Sequence, residues 1–161
     1  VTQSDKLNQL DRILYSKTKS QLLFGGKERI DSIRKHLNIM KRSNNNERCL
    51  VTCLSHIDTN KTVKLLRKVG LWDVFIDKIR GKNISNIIGK DTALFKKTEE
   101  KKHLIVLEII KFLRKDYDDV LYICNDKNEC EHFTRINLCN TYLIKTNGMT
   151  MNDMISIQKR Y

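Results

Sequence analysis

Apolar residues along this chain fall into short clusters whose spacing switches between a helical and an extended period. Between residues 5 and 19, Leu7, Leu10, Ile13 and Leu14 recur at three- and four-residue steps, the pattern of one helix face. Gly25-Gly26 interrupts the chain after Leu22, Leu23 and Phe24. A second helix is predicted beyond it, with Ile30, Ile33, Leu37 and Met40 on one side and Lys27, Glu28, Arg34, Lys35 and Lys41 on the other. Ser43 to Glu47 is polar and reads as a loop. Cys49 to Leu54 is short and almost continuously apolar, which predicts a buried strand ending at Ser55.

Asp58 or Thr59 can cap a third helix whose apolar face is Val63, Leu66 and Val69, and Gly70 suits its left-handed end. Leu71 to Ile79 predicts a turn of helix leading into a strand, and residues 80–98 read as a polar loop around Ile84, Ile87 and Ile88. Glu99 to Lys115 is the most apolar helix; Leu104, Val106, Leu107, Ile110 and Leu113 cover most of its sides, as burial against a sheet demands. Val120 to Cys124 predicts the second clear strand, closed by Asn125-Asp126 and followed by a short helix through Phe133. Tyr142 to Ile144 predicts a third strand. Thr150 and Asp153 stand at capping-box spacing before a last helix bearing Met151, Met154, Ile155 and Ile157.

Strands alternating with helices predict an α/β fold built of βαβ units around a parallel sheet. No repeat or low-complexity block divides the chain, so residues 1–161 are expected to form a single domain with 1–23 as a helical lead-in. Ligands of such sheets sit at the carboxyl ends of the strands, here Ser55 and Asn125-Asp126.

Composition adjusts this picture. A net charge of +12 with pI ≈ 9.6 suits phosphate-rich partners. Yet proline is absent, where about one residue in twenty is usual, and Lys and Asn are abundant. An AT-rich genome produces that bias through codon usage alone, and the basic residues are scattered, so nucleic acid is an open but not favoured partner. No apolar run approaches the ~18–20 residues that span a bilayer, and the N-terminus lacks a signal-peptide layout. The expectation is a soluble, cytoplasmic protein without membrane contact. Five cysteines, an odd number, argue against a complete disulfide framework. Cys49, Cys53 and Cys124 lie in apolar runs, where cysteine packs as a small hydrophobe. There is no Cys-x-x-Cys pair, and His36, His56, His103 and His132 lack zinc-ligand spacing.

Three features have the spacing of a phosphoryl-transfer site: the Ser55 hydroxyl ending one strand, Lys101-Lys102 opening a buried helix, and the Asp126 carboxylate ending the next strand. They offer a phosphate donor, a positive charge and a metal ligand, and phosphoryl transfer is mostly positioning and charge neutralisation. Each has a plainer alternative. Ser55 can bond a backbone amide, the lysines can be solvated first-turn residues despite the opposing macrodipole, and Asp126 can cap the following helix. His56 is either a substrate contact or base, or a surface histidine.

Phe24-Gly25-Gly26-Lys27-Glu28-Arg29-Ile30, then Leu50 to Ser55, then Lys68-Val69-Gly70-Leu71 resemble the middle of a haloacid-dehalogenase-type (HAD) phosphohydrolase. The resemblance runs from about Phe24 to Ile157 and implies a Rossmann-like three-layer sandwich with a mainly parallel sheet and no sizeable cap. It implies Ser55 holding the transferring phosphate beside His56, Lys102 neutralising charge with Lys101 as the alternate, and Asp126 binding Mg²⁺, with Glu129 or Glu131 approximating the second acidic position. The substrate would be phosphorylated.

Two departures stand out. The family's first motif, an apolar strand followed by Asp-x-Asp-x-Thr, supplies the nucleophile and has no counterpart here. Asp116-Tyr117-Asp118 precedes a strand instead of following one, and Asn125 stands where a second acidic residue often does. That first strand lies at the centre of the family's sheet. Without it the strands at 49–54 and 120–124 lack a partner and leave backbone groups unpaired. The expectation is a fragment whose nucleophile strand lies upstream of Val1. A chain complete as written would instead be an inactive binding module of the same fold.

Overall fold

A computed structural model describes residues 12, 15–42, 49–145 and 148–160. They form a mixed α/β protein with short sheets, divided into two compact units, one ending at Lys90 and the other running from Asp91 to Arg160. Among the described residues no helix is long and apolar enough to cross a membrane.

In the first unit, helix α1 (Lys17–Leu23) starts at Ser16, whose hydroxyl accepts from Lys19 N at 3.2 Å. Ser16 is extended, so the helix expected over 5–19 does not run through it; most of that segment, and the expected loop Ser43–Glu47, lie outside the described residues. Helix α2 (Lys27–Arg42) turns Ile30 and Leu37 into the core with Ile33 and Met40 packed beside them, the face its periodicity predicts. Helix α3 (Thr59–Val69) is capped by Asp58, whose Oδ1 accepts from Lys61 N at 2.8 Å, and closed by Gly70 at φ 81°. Leu66 and Val69 join Ile30, Leu37, Leu71, Val74 and Ile87 in one apolar cluster. Beyond Gly70 a 3-10 turn (Trp72–Phe75) leads into strand β2 (Ile76–Ile79), as Leu71–Ile79 predicts. Trp72 carries the Arg67 guanidinium 4.4 Å above its ring.

Residues 80–98 are not the polar loop expected. They hold strand β3 (Lys82–Ser85), strand β4 (Ile87–Ile88) and helix α4 (Ala93–Lys97). Strands β2 and β3 form an antiparallel hairpin in which Ile79 faces Lys82. Its turn residues Arg80 and Gly81 both have positive φ, 53° and 76°, the geometry whose twist matches two antiparallel strands. Strand β1 is only Cys53–Leu54, against an expected Cys49–Leu54, because its parallel partner β4 is two residues long.

The second unit continues from α4 into helix α5 (Lys102–Leu113). Glu99 and Glu100 both adopt left-handed backbone, φ 56° and 61°, so α5 begins three residues later than its apolar pattern suggests. It buries Ile105, Val106 and Ile110, while Phe112 is 87% exposed, so the helix is not enclosed on all sides. A 3-10 turn (Tyr117–Asp119) precedes strand β5 (Leu121–Cys124), helix α6 (Lys127–Arg135) and strand β6 (Asn140–Leu143). β5 and β6 are parallel, and α6 packs on both, a βαβ unit as predicted. Helix α7 (Met151–Arg160) opens with the expected box: Thr150 N donates to Asp153 Oδ2 at 2.8 Å, and Asp153 N donates to Thr150 Oγ1 at 3.2 Å. It turns Met154 and Ile157 inward, whereas Met151 and Ile155 face solvent.

One polar cluster ties the first unit together. Lys41 Nζ donates to the carbonyls of Val74 at 2.8 Å and Ile76 at 3.1 Å and lies 3.6 Å from the buried Asp77 carboxylate. Replacing Lys41 with Met keeps the aliphatic stem and strands Asp77 beside two carbonyls. Lys41→Met is therefore expected to lower unfolding stability by about 3 kcal/mol, read from the urea midpoint.

Candidate functional site

The end of β1 is organised by hydroxyls. Ser55 N donates to Ile88 O at 2.9 Å, carrying the parallel ladder one residue past the strand. Ser55 Oγ accepts from Ile57 N at 3.3 Å, so the backbone-bonding role open to it in the sequence is realised. Thr62 Oγ1, from the buried side of α3, lies 2.8 Å from Ser55 Oγ and 2.9 Å from Asp58 O, with one proton for the two acceptors. With that proton on Ser55, the Ser55 O–H is left to donate outward. Gly89, just after β4, donates its N–H to Thr59 Oγ1 at 3.2 Å, and a Cβ on Gly89 would run into the Thr59 backbone and hydroxyl. Lys90 N donates to Ile57 O at 2.9 Å. The carboxyl ends of β1 and β4 and the first turn of α3 thus converge on Ser55. His56, the next residue, is exposed.

A second constellation lies at the end of β5. Tyr122, on the strand, donates its hydroxyl to Glu129 Oε1 at 2.6 Å, and Lys102 Nζ, on α5, lies 3.4 Å from Glu129 Oε2. Burial first, and then the bond to Glu129, push the Tyr122 phenol far above its ordinary range. The Lys102 and Glu129 side chains are 31% and 18% exposed, so the pair is shielded more than a surface bridge. Asp126 Oδ1 accepts from Asn128 N at 2.9 Å and Glu129 N at 3.4 Å, which makes it the N-cap of α6. The residue is exposed. The His103 ring meets the His132 ring edge-on, centroids 4.9 Å apart.

The structure therefore brings Lys102, Asp126 and Glu129 to one edge of the second unit, and places Ser55 and His56 at a strand end of the first. Lys101 occupies the N-cap position of α5 and reaches exposed Glu99 at 3.8 Å, so Lys102 is the lysine that meets a shielded carboxylate. Glu131 pairs with Lys127 at 3.8 Å on the outer face of α6. Asp116 and Asp118 stand before β5, and its four residues put them roughly 13 Å from Asp126, too far to share a reacting atom with it. Among the described residues no three of His, Cys, Asp or Glu are grouped to enclose a metal ion.

Sequence reasoning missed Thr62, Tyr122 and Gly89, and it read Cys124 only as a small hydrophobe. Cys124 is instead joined to Cys130 in a disulfide, because α6 folds back over the strand end that Cys124 closes. The one advance signal was the pair of hydroxyls, Thr62 and Tyr122, set inside otherwise apolar faces. No family model, no curated protein and no solved structure matches the chain.

The Tyr122 bond is testable without reference to function. Tyr122→Phe removes one hydrogen bond to a charged acceptor and is expected to cost about 2 kcal/mol. Differential scanning calorimetry would show this as a lower Tm, and an unchanged Tm would mean that the phenol makes no net contribution.

Proposed function

We propose that this chain is a phosphohydrolase-type domain of Rossmann-like, three-layer design, similar in plan to the HAD phosphatases, hydrolysing a phosphate ester with Mg²⁺. One observation carries the reading. Two parallel strand pairs, β1–β4 and β5–β6, end on Ser55 and Asp126, the residues that the resemblance selects, and among the described residues each pair is a sheet of only two strands. Among the described residues one edge of β5 thus carries no strand, and a further strand there would satisfy its backbone groups. The reading assigns the acidic nucleophile to such a strand, because Asp116 and Asp118 lie at the wrong end of β5.

In this reading the phosphate is held in the second unit, and Ser55 remains a hydroxyl at the strand end of the first. Lys102, positioned by Glu129, neutralises charge on the transferring group. Asp126 spends Oδ1 on the α6 cap and offers Oδ2 to the cation, while Glu129 is occupied by Lys102 and Tyr122 and supplies no ligand. One carboxylate is enough for Mg²⁺, which takes its remaining ligands from water and phosphate oxygens. When bound, the ion would polarise the phosphoryl group toward attack.

The test is phosphate release from para-nitrophenyl phosphate by the protein at its full natural length, with and without Mg²⁺. Asp126→Asn retains the capping oxygen, so the expected result is loss of Mg²⁺-dependent turnover with Tm unchanged; Asp126→Ala would also forfeit the cap, about 1 kcal/mol. No release by the wild-type protein overturns the reading.

A second reading, an inactive module that contacts nucleic acid, is favoured by the β2–β3 hairpin. Lys78, Arg80 and Lys82 are exposed around its turn, whereas Asp77, the carboxylate of the ribbon, faces Lys41. A two-stranded ribbon fits a major groove. This reading expects duplex binding with a log–log salt slope of about −3, falling to about −2 in Arg80→Ala. A flat salt response excludes it.

A further inference from the structure

Cys124 is the last residue of β5 and Cys130 belongs to the first turn of α6. Between them run Asn125, Asp126, Lys127, Asn128 and Glu129, the first four exposed. The two sulfurs are bonded across a Cα–Cα separation of 6.6 Å, within the ~4.4–6.8 Å that a disulfide bridges without moving the backbone. Both residues are buried, at 6% and 7% exposure. Cys124 Sγ also lies 3.7 Å from the carbonyl oxygen of Asp126. The other three cysteines, Cys49, Cys53 and Cys139, are free. A single sulfur pair thus clasps both ends of the loop that presents Asp126, and four of the five residues between the two cysteines are exposed.

We propose that Cys124 and Cys130 form a reversible dithiol–disulfide pair that sets the order of the Asp126 loop. Its effect on metal binding rests on the phosphohydrolase reading; the redox chemistry does not. In closing, one protein thiolate attacks a sulfur of a small-molecule disulfide such as oxidised glutathione, forming a mixed disulfide and releasing one thiol. The second protein thiolate attacks the protein sulfur of that mixed disulfide and releases the other thiol. The protein loses two electrons and two protons, and the oxidant leaves as two thiols. Opening is the reverse, driven by excess reduced thiol. In the open state the Cys124 S–H donates to the Asp126 carbonyl, and the first turn of α6 is held by the Asp126 cap without a covalent tie.

The experiment equilibrates the full chain with glutathione at graded ratios and counts thiols after denaturation. The expected counts are three in oxidising buffer, from the free cysteines, and five in reducing buffer. Cys139→Ser should keep the two-thiol step, and Cys130→Ser should abolish it. Amide exchange over Asn125–Glu129 in the native wild-type protein should quicken roughly tenfold or more on reduction, the low end of what losing a cross-link does to local opening. These wild-type readouts do not depend on any variant folding. Five thiols at every ratio overturn the proposal, as does a bridge that forms without changing loop exchange. Mn²⁺ titration followed by paramagnetic resonance separates this proposal from the reading beneath it. Affinity falling roughly tenfold on reduction supports control of Asp126, and equal affinity in both states overturns that control. No binding in either state sinks the phosphohydrolase reading and leaves the thiol pair to stand or fall on the thiol counts and amide exchange.

Discussion

The first unit depends on one ammonium group near the end of α2. Lys41 gives two of its protons to carbonyls where the 3-10 turn becomes β2, and its charge offsets buried Asp77. Asp77 in turn accepts from the Asn86 side chain. The Asn86 backbone continues the chain of bonds, donating to Phe75 O at 2.8 Å and accepting from Cys53 N at 2.9 Å. A charge on one helix therefore reaches β1 through three consecutive partners, and Ser55 stands two residues beyond the last. Such a network is stable only when every member is satisfied, because each partner left behind would be a desolvated polar group. The apolar cluster supplies the driving force for this unit, while the Lys41 network decides where its strands end.

What could be read from the sequence, and what could not, follows the range of the interactions involved. Helices α2, α3 and α7 were legible because a helix is written locally: a 3.6-residue apolar period, a side-chain cap three residues from the amide it binds, a glycine where the backbone turns left-handed. The hairpin was not, since its turn is Arg80-Gly81 and not the Asn-Gly or Asp-Gly that announces this geometry, and Ile-Asp-Lys-Ile facing Lys-Asn-Ile-Ser has no clean alternation. Strand β1 was overestimated because a strand's length is set by its partner, which lies more than thirty residues away. In the site, Ser55 and Asp126 could be found as strand ends, and the plain roles weighed for them, amide acceptor and helix cap, are both present. Thr62 beside Ser55 and Tyr122 beside Glu129 needed the fold, as did the partner of Cys124, because cysteine spacing does not determine pairing.

The acidic residues at the end of β5 show how environment separates groups of the same chemistry. Asp126 and Glu129 are one helical turn apart, and Asp126 Oδ1 even accepts from the Glu129 amide. Glu129 is shielded, neutralised by Lys102 and hydrogen-bonded by a phenol, so it is a structural anchor for a lysine. Asp126 is exposed and uses one oxygen on the helix end, where the macrodipole favours its negative charge. Its Oδ1 is thereby oriented by two backbone amides at the start of α6. The resemblance gave Asp126 the first acidic position and Glu129 or Glu131 the second; their neighbours set Asp126 and Glu129 further apart than that.

Trp72, under its arginine, has a practical consequence. It is the only tryptophan in the chain, and it belongs entirely to the first unit. Indole fluorescence is therefore an intrinsic label of that unit, with the Arg67 guanidinium as a built-in local perturbation of its emission. The second unit carries no indole and is reported instead by amide exchange along α5 and α6. Comparing the two signals across one denaturation series asks whether the chain melts as one cooperative body or in two steps, with no dye attached and no residue changed.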